Sequence, residues 1–113
     1  DYNYYKDAYN EDFLNVIRSF NQQNKVIATV CVGALPLAKS GALKNKNGTT
    51  YNSNEYRKEL KSFGVVLINQ SIVEDENFIT SCGPSTATDV AFILLEKLTN
   101  KDNTKKVREL MGF

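Results

Sequence analysis

The chain has 113 residues, of which 42% are hydrophobic and 24% are charged, and its net charge is +1. These values match those of an ordinary globular domain, and the length suits one domain. The mixed, nearly balanced charge gives no electrostatic basis for binding nucleic acid or an acidic membrane, and no apolar run is long enough to span a bilayer. Two cysteines without a secretory signal lead us to expect a reducing compartment, the cytoplasm, rather than a disulfide framework.

The N-terminal third begins with a polar and aromatic stretch, residues 1–9, that we interpret as a connector. Asn10 can cap a helix that follows it. The apolar residues of this helix recur at helical spacing and share one face: Phe13, Leu14, Ile17 and Phe20. The sequence therefore predicts an amphipathic helix that packs on a sheet.

The next segment combines a strand, a cysteine and a helix. Residues 25–30 lack polar alternation, which is typical of a buried parallel strand. Residues 33–40 are predicted to be a short helix ended by Gly41. Cys31 lies at the turn between them, where unpaired N–H groups and the helix dipole favour the thiolate. The alternative is that Cys31 is a small buried hydrophobe.

The middle of the chain predicts two more strands around a helix. Residues 49–51 are predicted to be a short strand, and residues 65–68 a second one. Asn52 or Ser53 can cap the intervening helix, which Gly64 ends. The apolar stripe of this helix consists of Tyr56, Leu60 and Phe63.

The C-terminal third begins with residues 72–80, which are predicted to form two strands joined by an acidic turn. A helix that opens at Pro84 and Ser85 follows. Its predicted core stripe consists of Ala87, Val90, Ala91, Leu94, Leu95 and Leu98. A last helix, capped by Asp102 or Asn103, is expected to turn Val107, Leu110 and Met111 inward.

This order of elements predicts an α/β three-layer sandwich with a mainly parallel sheet and helices on both faces. Ligands of such sheets bind beyond the carboxyl ends of the strands. Cys31 and the Gly83–Pro84 pair both lie at strand-to-helix junctions. We therefore expect the two junctions to face a common ligand.

Three motifs carry a resemblance to a known family. They are residues 28–44 (ATVCVGALPLAKSGALK), 48–51 (GTTY) and 79–92 (ITSCGPSTATDVAF). In this order they resemble the ThiJ/PfpI superfamily, whose members include deglycases, proteases and isocyanide hydratases. The resemblance implies a flavodoxin-like fold related to class I glutamine amidotransferases.

The resemblance also implies that residues 1–113 are the C-terminal part of a single ThiJ/PfpI-like domain. Members of the family carry further N-terminal strands and a glycine loop upstream of such a segment. The chain opens on Asp1, and its only methionine is Met111, which agrees with this expectation. The expected partner is thus the N-terminal part of the same protein, present in the same or in a separate chain.

The site that the resemblance implies is centred on Cys31 as the nucleophile. The backbone N–H of Val32 is its expected oxyanion donor, and Gly33, Tyr51, Cys82, Gly83 and Pro84 are its expected pocket residues. The second donor and an acidic partner would lie upstream of Asp1. Tyr51 stands where the family often has histidine, and the chain contains no histidine, so a Cys-His protease cannot be assembled from it.

Three functions remain open. The first, which we favour, is a hydrolase, lyase or hydratase whose Cys31 forms a covalent adduct with a small electrophilic carbon, in an α-oxoaldehyde, a glycated amine or an isocyanide. The second is a redox sensor or chaperone-like protein in which Cys31 oxidises to a sulfinate. The third is a ligand-sensing module. For Cys82 two roles remain open: a resolving thiol in redox chemistry, or a side chain that serves only in packing.

No cofactor is expected, and no spacing of cysteines suggests a metal site. The partners expected besides the N-terminal part are a small-molecule substrate and a second copy in a homodimer. Neither nucleic acid nor a membrane is expected as a partner.

Overall fold

The computed structural model describes the backbone of residues 3–113 and the side chains of residues 6–113. Helices alternate with short strands along this part of the chain, as predicted. The helices are α1 (Asn3–Ala8), α2 (Glu11–Gln22), α3 (Ala34–Lys39), α4 (Asn54–Ser62), α5 (Ala87–Leu98) and α6 (Lys101–Leu110). The strands are β1 (Ile27–Ala28), β2 (Asn47–Gly48), β3 (Val66–Leu67), β4 (Ile72–Asp75) and β5 (Phe78–Ser81), and 3₁₀ turns cover Cys31–Gly33 and Pro84–Thr86.

The strands form two small sheets. In the first, the order is β1-β5-β4, with β1 parallel and β4 antiparallel to β5. In the second, β2 and β3 are parallel. Side chains join the sheets, since the Asn47 N–H donates to Asp75 Oδ2 over 2.8 Å and the Thr49 N–H donates to Thr80 Oγ1 over 2.9 Å. The predicted hairpin and the parallel pairing of the strand before Cys31 are confirmed.

β1 is shorter than the predicted strand of residues 25–30, and it forms an edge of its sheet. The N–H groups of Ile27 and Thr29 donate to the carbonyls of Asn77 and Ile79 over 2.9 and 2.8 Å. Within residues 3–113 no strand pairs with the opposite edge of β1. β1 therefore has a single neighbouring strand, and its other edge is free to pair.

The helix after Cys31 lies at the centre of the core. Its apolar residues Ala34, Leu35, Leu37 and Ala38 are each 1% exposed or less. They pack with Leu43, Leu60, Val65 and Phe78, which come from the surrounding loops, α4 and β5. Because α3 is covered on nearly all sides, its sequence shows no polar face. Gly41 ends it with a φ of +92°, as predicted.

Two predictions in the N-terminal third are corrected. Residues 3–8 form α1 rather than a connector, whereas residues 1 and 2 lie outside the described residues. α2 forms where predicted. Asn10 caps this helix, and its side-chain oxygen accepts a hydrogen bond from the Asp12 N–H. Of its apolar face, however, Leu14 is buried, while Phe13 and Phe20 are each 45% exposed.

The strand predicted at residues 49–51 lies instead at Asn47–Gly48. The N–H groups of Val66 and Ile68 donate to the carbonyls of Lys46 and Gly48, so the ladder ends before residue 49. The Thr49 N–H then bonds a side chain, as described above. Gly64 ends α4 with a φ of +85°, as predicted.

The C-terminal helices are less buried than predicted. In α5 only Val90 and Phe92 are buried, and Leu98 is 67% exposed. In α6 the cap is Asn100, whose Oδ1 accepts from the Asn103 N–H over 2.7 Å. Leu110 and Met111 are 79% and 60% exposed, so their predicted inward orientation is wrong.

The contacts of α6 explain this difference. The guanidinium of Arg108 lies 4.6 Å from the centre of the Phe92 ring and 5.6 Å from that of Phe113. The two rings meet edge to face at 5.3 Å. A cation packed between aromatic rings thus helps to attach α6 to α5, and helical periodicity alone does not reveal such a contact.

Candidate active site at Cys31

Cys31 occupies a strained turn between β1 and the core helix. Its φ is +61°, in the left-handed region that non-glycine residues rarely adopt. Among the described residues, the other non-glycine residues with positive φ are Asn24, Asn45 and Glu76, none of which carries a thiol. Holding such a residue costs roughly 1–3 kcal/mol, and strain of this kind clusters at functional sites. The Cys31 thiol is free and partly exposed.

The backbone around Cys31 leaves one N–H available. The Gly33 N–H donates to the Val30 carbonyl over 3.1 Å, which closes the 3₁₀ turn. The Val32 N–H has no acceptor among residues 3–113. In turns that present a nucleophilic side chain, an oxyanion is stabilised by the free N–H of the residue that follows it.

Three buried hydroxyl groups hold the strand ends around this turn. The Thr50 hydroxyl donates to the Cys31 carbonyl over 3.1 Å, and the Ser81 hydroxyl donates to the Thr29 carbonyl over 3.0 Å. Thr80 accepts from Thr49, as described above. Thr50 and Ser81 are at most 1% exposed. Because the Thr50 and Ser81 side chains are buried, their two hydrogen bonds fix the carbonyls on both sides of Val30.

We expect Thr50→Val to lower the free energy of unfolding by about 1–2 kcal/mol, because it keeps the shape of the side chain but removes the hydrogen bond to Cys31. The matched control is Thr88→Val on α5, where the side chain is exposed and the expected change is below about 0.5 kcal/mol. Urea titration of the full-length wild type and of both full-length variants gives the free energy of unfolding of each. Equal stability of Thr50→Val and the wild type would contradict the structural role given to Thr50.

The remaining predicted pocket residues are spread around the turn. Tyr51 is 44% exposed, and its ring lies edge to face with Tyr56 at 6.2 Å. Cys82 is partly exposed, and its N–H donates to the Ser71 carbonyl over 2.9 Å. The Gly83 carbonyl accepts from the Thr86 N–H and hydroxyl over 3.0 and 2.7 Å, which fixes the start of the second turn. Pro84 is exposed.

Two cavities are lined by predicted pocket residues, and Cys31 itself lines neither of them. Cys82 lines a polar cavity of about 250 Å³ together with Thr49, Thr50, Asn52, Arg57, Asn69, Gln70 and Ser71. Gly33 instead lines an apolar groove of about 240 Å³ together with Phe13, Val16, Ile17, Phe20, Ile27, Ala28, Thr29, Pro36 and Leu37. The predicted pocket residues Gly33 and Cys82 thus face different cavities.

Sequence reasoning missed the contributions of Thr50, Ser81 and Arg57. Thr50 and Ser81 stand inside the motifs quoted above, but the motifs do not reveal which hydroxyl meets which carbonyl. Each bond joins segments at least 19 residues apart in the sequence. The sequence gives no indication of a role for Arg57 beyond its position on a predicted helix.

Within the described part of the chain, no group of three or more acidic, cysteine or histidine side chains could hold a metal ion. The same residues include no helix that is long and apolar enough to cross a membrane.

A comparison with known protein families identifies the class of this protein. Residues 5–97 match the model of the DJ-1/PfpI family. The chain therefore belongs to the DJ-1/PfpI family, and the resemblance inferred from the three motifs is confirmed.

Two relatives illustrate the range of the family. The glutathione-independent glyoxalase DJ-1 of Schizosaccharomyces pombe is 38% identical over 99 residues, which are 87% of this chain and 50% of the relative. The isonitrile hydratase of Pseudomonas putida is 31% identical over 98 residues, 87% of this chain and 42% of the relative. Both relatives are enzymes by name.

Solved structures show the same fold. DJ-1beta of Drosophila melanogaster superposes with a TM-score of 0.78 at 28% identity, over 87% of this chain and 52% of that one. The predicted flavodoxin-like α/β fold is confirmed. The chain spans about half the length of the relatives that it matches.

Proposed function

We propose that this chain supplies the nucleophile of an enzyme that acts on a small electrophilic carbon through a covalent adduct with Cys31. The observation that carries the proposal is the +61° φ of Cys31. This strained turn presents a free, partly exposed thiol beside an N–H that has no acceptor among residues 3–113. Packing alone gives no reason for such strain, because a buried hydrophobic cysteine fits an ordinary strand equally well.

The chemistry follows from these groups. The thiolate sulfur of Cys31 forms a bond to the carbonyl carbon of an α-oxoaldehyde, and the π electrons of the carbonyl move to its oxygen. The Val32 N–H stabilises this oxyanion, which then takes a proton to give a hemithioacetal. With an isocyanide, the thiol adds across the terminal carbon and gives a thioimidate, which water hydrolyses.

The relatives support this class of substrate. One is named for glyoxalase activity and the other for isonitrile hydration. Both names indicate a small molecule that contains an electrophilic carbon, although the reactions differ. The fold alone does not choose between them.

We also propose that the apolar groove beside β1 receives the portion of the protein that corresponds to the other half of its relatives. Three apolar side chains of α2 face solvent there, since Phe13, Val16 and Phe20 are each 45–53% exposed. The Thr29 hydroxyl, also in the groove, is inaccessible to solvent and has no hydrogen-bond partner among residues 6–113. A parallel strand on the free edge of β1 would cover this surface.

Such a segment would also complete the site. A neighbouring parallel strand ends at the same edge of the sheet as β1, and its loop therefore lies beside Cys31. This loop is the proposed source of the second oxyanion donor and of an acidic residue that exchanges protons with the substrate.

The experiment that tests the function measures the consumption of methylglyoxal, a glycated amine and an isocyanide by the full-length protein. We expect turnover of at least one of them above a Cys31→Ser background. If none is consumed, and peroxide converts Cys31 selectively to a sulfinate, the redox-sensor alternative becomes the better account.

A further inference from the structure

The polar cavity next to Cys82 is chemically unlike the rest of the surface around the site. Apart from Cys82, its walls consist of hydroxyls, amides and one guanidinium, and none of the lining residues is a carboxylate. Its volume of about 250 Å³ fits a small metabolite rather than a chain segment. The ligand chemistry therefore follows from the donors in its walls.

Arg57 is the only charged residue among these walls. It is partly buried on α4, and its Nη1 donates to Asn52 Oδ1 over 3.0 Å. Among residues 6–113 it pairs with no carboxylate, unlike Arg18, Lys46 and Lys97. A guanidinium has five N–H donors, so most of those of Arg57 remain available to a ligand.

The other side chains extend this set of donors. Asn69 and Gln70 contribute amide groups, and Ser71 contributes a hydroxyl. A guanidinium with neighbouring amide and hydroxyl donors is the arrangement that binds a planar or tetrahedral oxyanion. These lining residues include no carboxylate, which would favour a cation. They also include no large apolar side chain, which would favour a hydrocarbon.

We propose that this cavity binds a small oxyanion, a carboxylate or phosphate group, through Arg57. The Thr50 side chain lines the cavity and also donates to the Cys31 carbonyl, so the bound anion lies near the turn of the nucleophile. The site does not require Cys31 to be catalytic, and its test is independent of the proposed function.

The test uses the full-length protein in a Cys31→Ser background, with inorganic phosphate and acetate as separate probes and acetamide as the neutral control. The ionic strength is held constant with chloride, because exposed charges are screened by salt. Titration calorimetry gives the Kd of each probe. Peptide mass spectrometry then follows alkylation of Cys82 by N-ethylmaleimide with and without the probe.

At a probe concentration about ten times the Kd, we expect alkylation of Cys82 to slow about tenfold, because only unoccupied sites react. Protection by phosphate alone would assign a phosphate group, and protection by acetate alone a carboxylate. Acetamide should have no effect.

The decisive variant is Arg57→Gln, for which we expect the affinity of the probe to fall at least about tenfold. The matched control is Lys58→Gln, which removes the same charge from the adjacent, exposed residue. Circular dichroism and thermal melts establish that both variants are folded. Equal binding by Arg57→Gln and Lys58→Gln, or no binding of either anion to the parent protein, would overturn the proposal.

Discussion

Replacement of Cys31 by serine is expected to reduce the turnover of the full-length protein at least about 10³-fold, the order seen when a covalent nucleophile is removed. A serine hydroxyl needs a base to become a nucleophile, and the chain contains no histidine that could act as one. The measurement is the initial rate of substrate consumption, with the substrate found in the screen described above.

The comparison variant is Tyr51→Phe. It removes one hydroxyl from an exposed side chain near the turn, and the expected loss is about tenfold or less, equivalent to a single hydrogen bond of about 1 kcal/mol. Thermal melts of both variants separate lost chemistry from lost folding. Turnover by Cys31→Ser within tenfold of the wild type would contradict the assignment of the nucleophile.

Residues 1–113 in isolation are expected not to melt cooperatively as a monomer. One edge of β1 is unpaired within the described residues, and the adjacent groove exposes Phe13, Val16 and Phe20. Exposed apolar surface beside a free strand edge promotes association. Calorimetry together with light scattering tests this expectation, and a cooperative, monomeric transition would defeat it.

A pair of charge substitutions tests the same surface in the full-length protein. Val16→Glu is expected to lower the free energy of unfolding by about 2 kcal/mol or more, because the proposed segment would bury the new carboxylate. Leu110→Glu is the control, since Leu110 is 79% exposed and lies outside the family match of residues 5–97. Its expected effect is below about 0.5 kcal/mol. Equal losses of stability in Val16→Glu and Leu110→Glu would contradict the proposal that the groove is the docking surface.

Local signals in the sequence predicted the elements around the site well. Gly41 and Gly64 ended their helices, and the hairpin of residues 72–80 formed as expected. The turn at Cys31 was predicted because an apolar strand runs directly into a helix of small residues. These features depend on residues that are neighbours in the sequence, so local reasoning was sufficient.

Several features that depend on distant residues were not predicted. The ladder of β2 ends early because Thr49 bonds Thr80, 31 residues away. Leu110 continues an apolar pattern but is exposed, since Arg108 and Phe113 make the contact with Phe92 instead. The positive φ of Cys31 and the donors around Arg57 likewise follow from packing across the fold, which periodicity does not encode.

The central claim is that the strained turn makes Cys31 a reactive nucleophile, and the most direct measurement compares the two thiols of the chain. The folded, full-length protein is treated with limiting iodoacetamide at neutral pH, and peptide mass spectrometry gives a rate constant for Cys31 and for Cys82. Both residues are free and partly exposed, so exposure alone predicts similar rates. We expect Cys31 to react at least about tenfold faster, because its left-handed turn presents the thiol beside a backbone N–H that has no acceptor among residues 3–113. Equal rates for Cys31 and Cys82 would contradict the account.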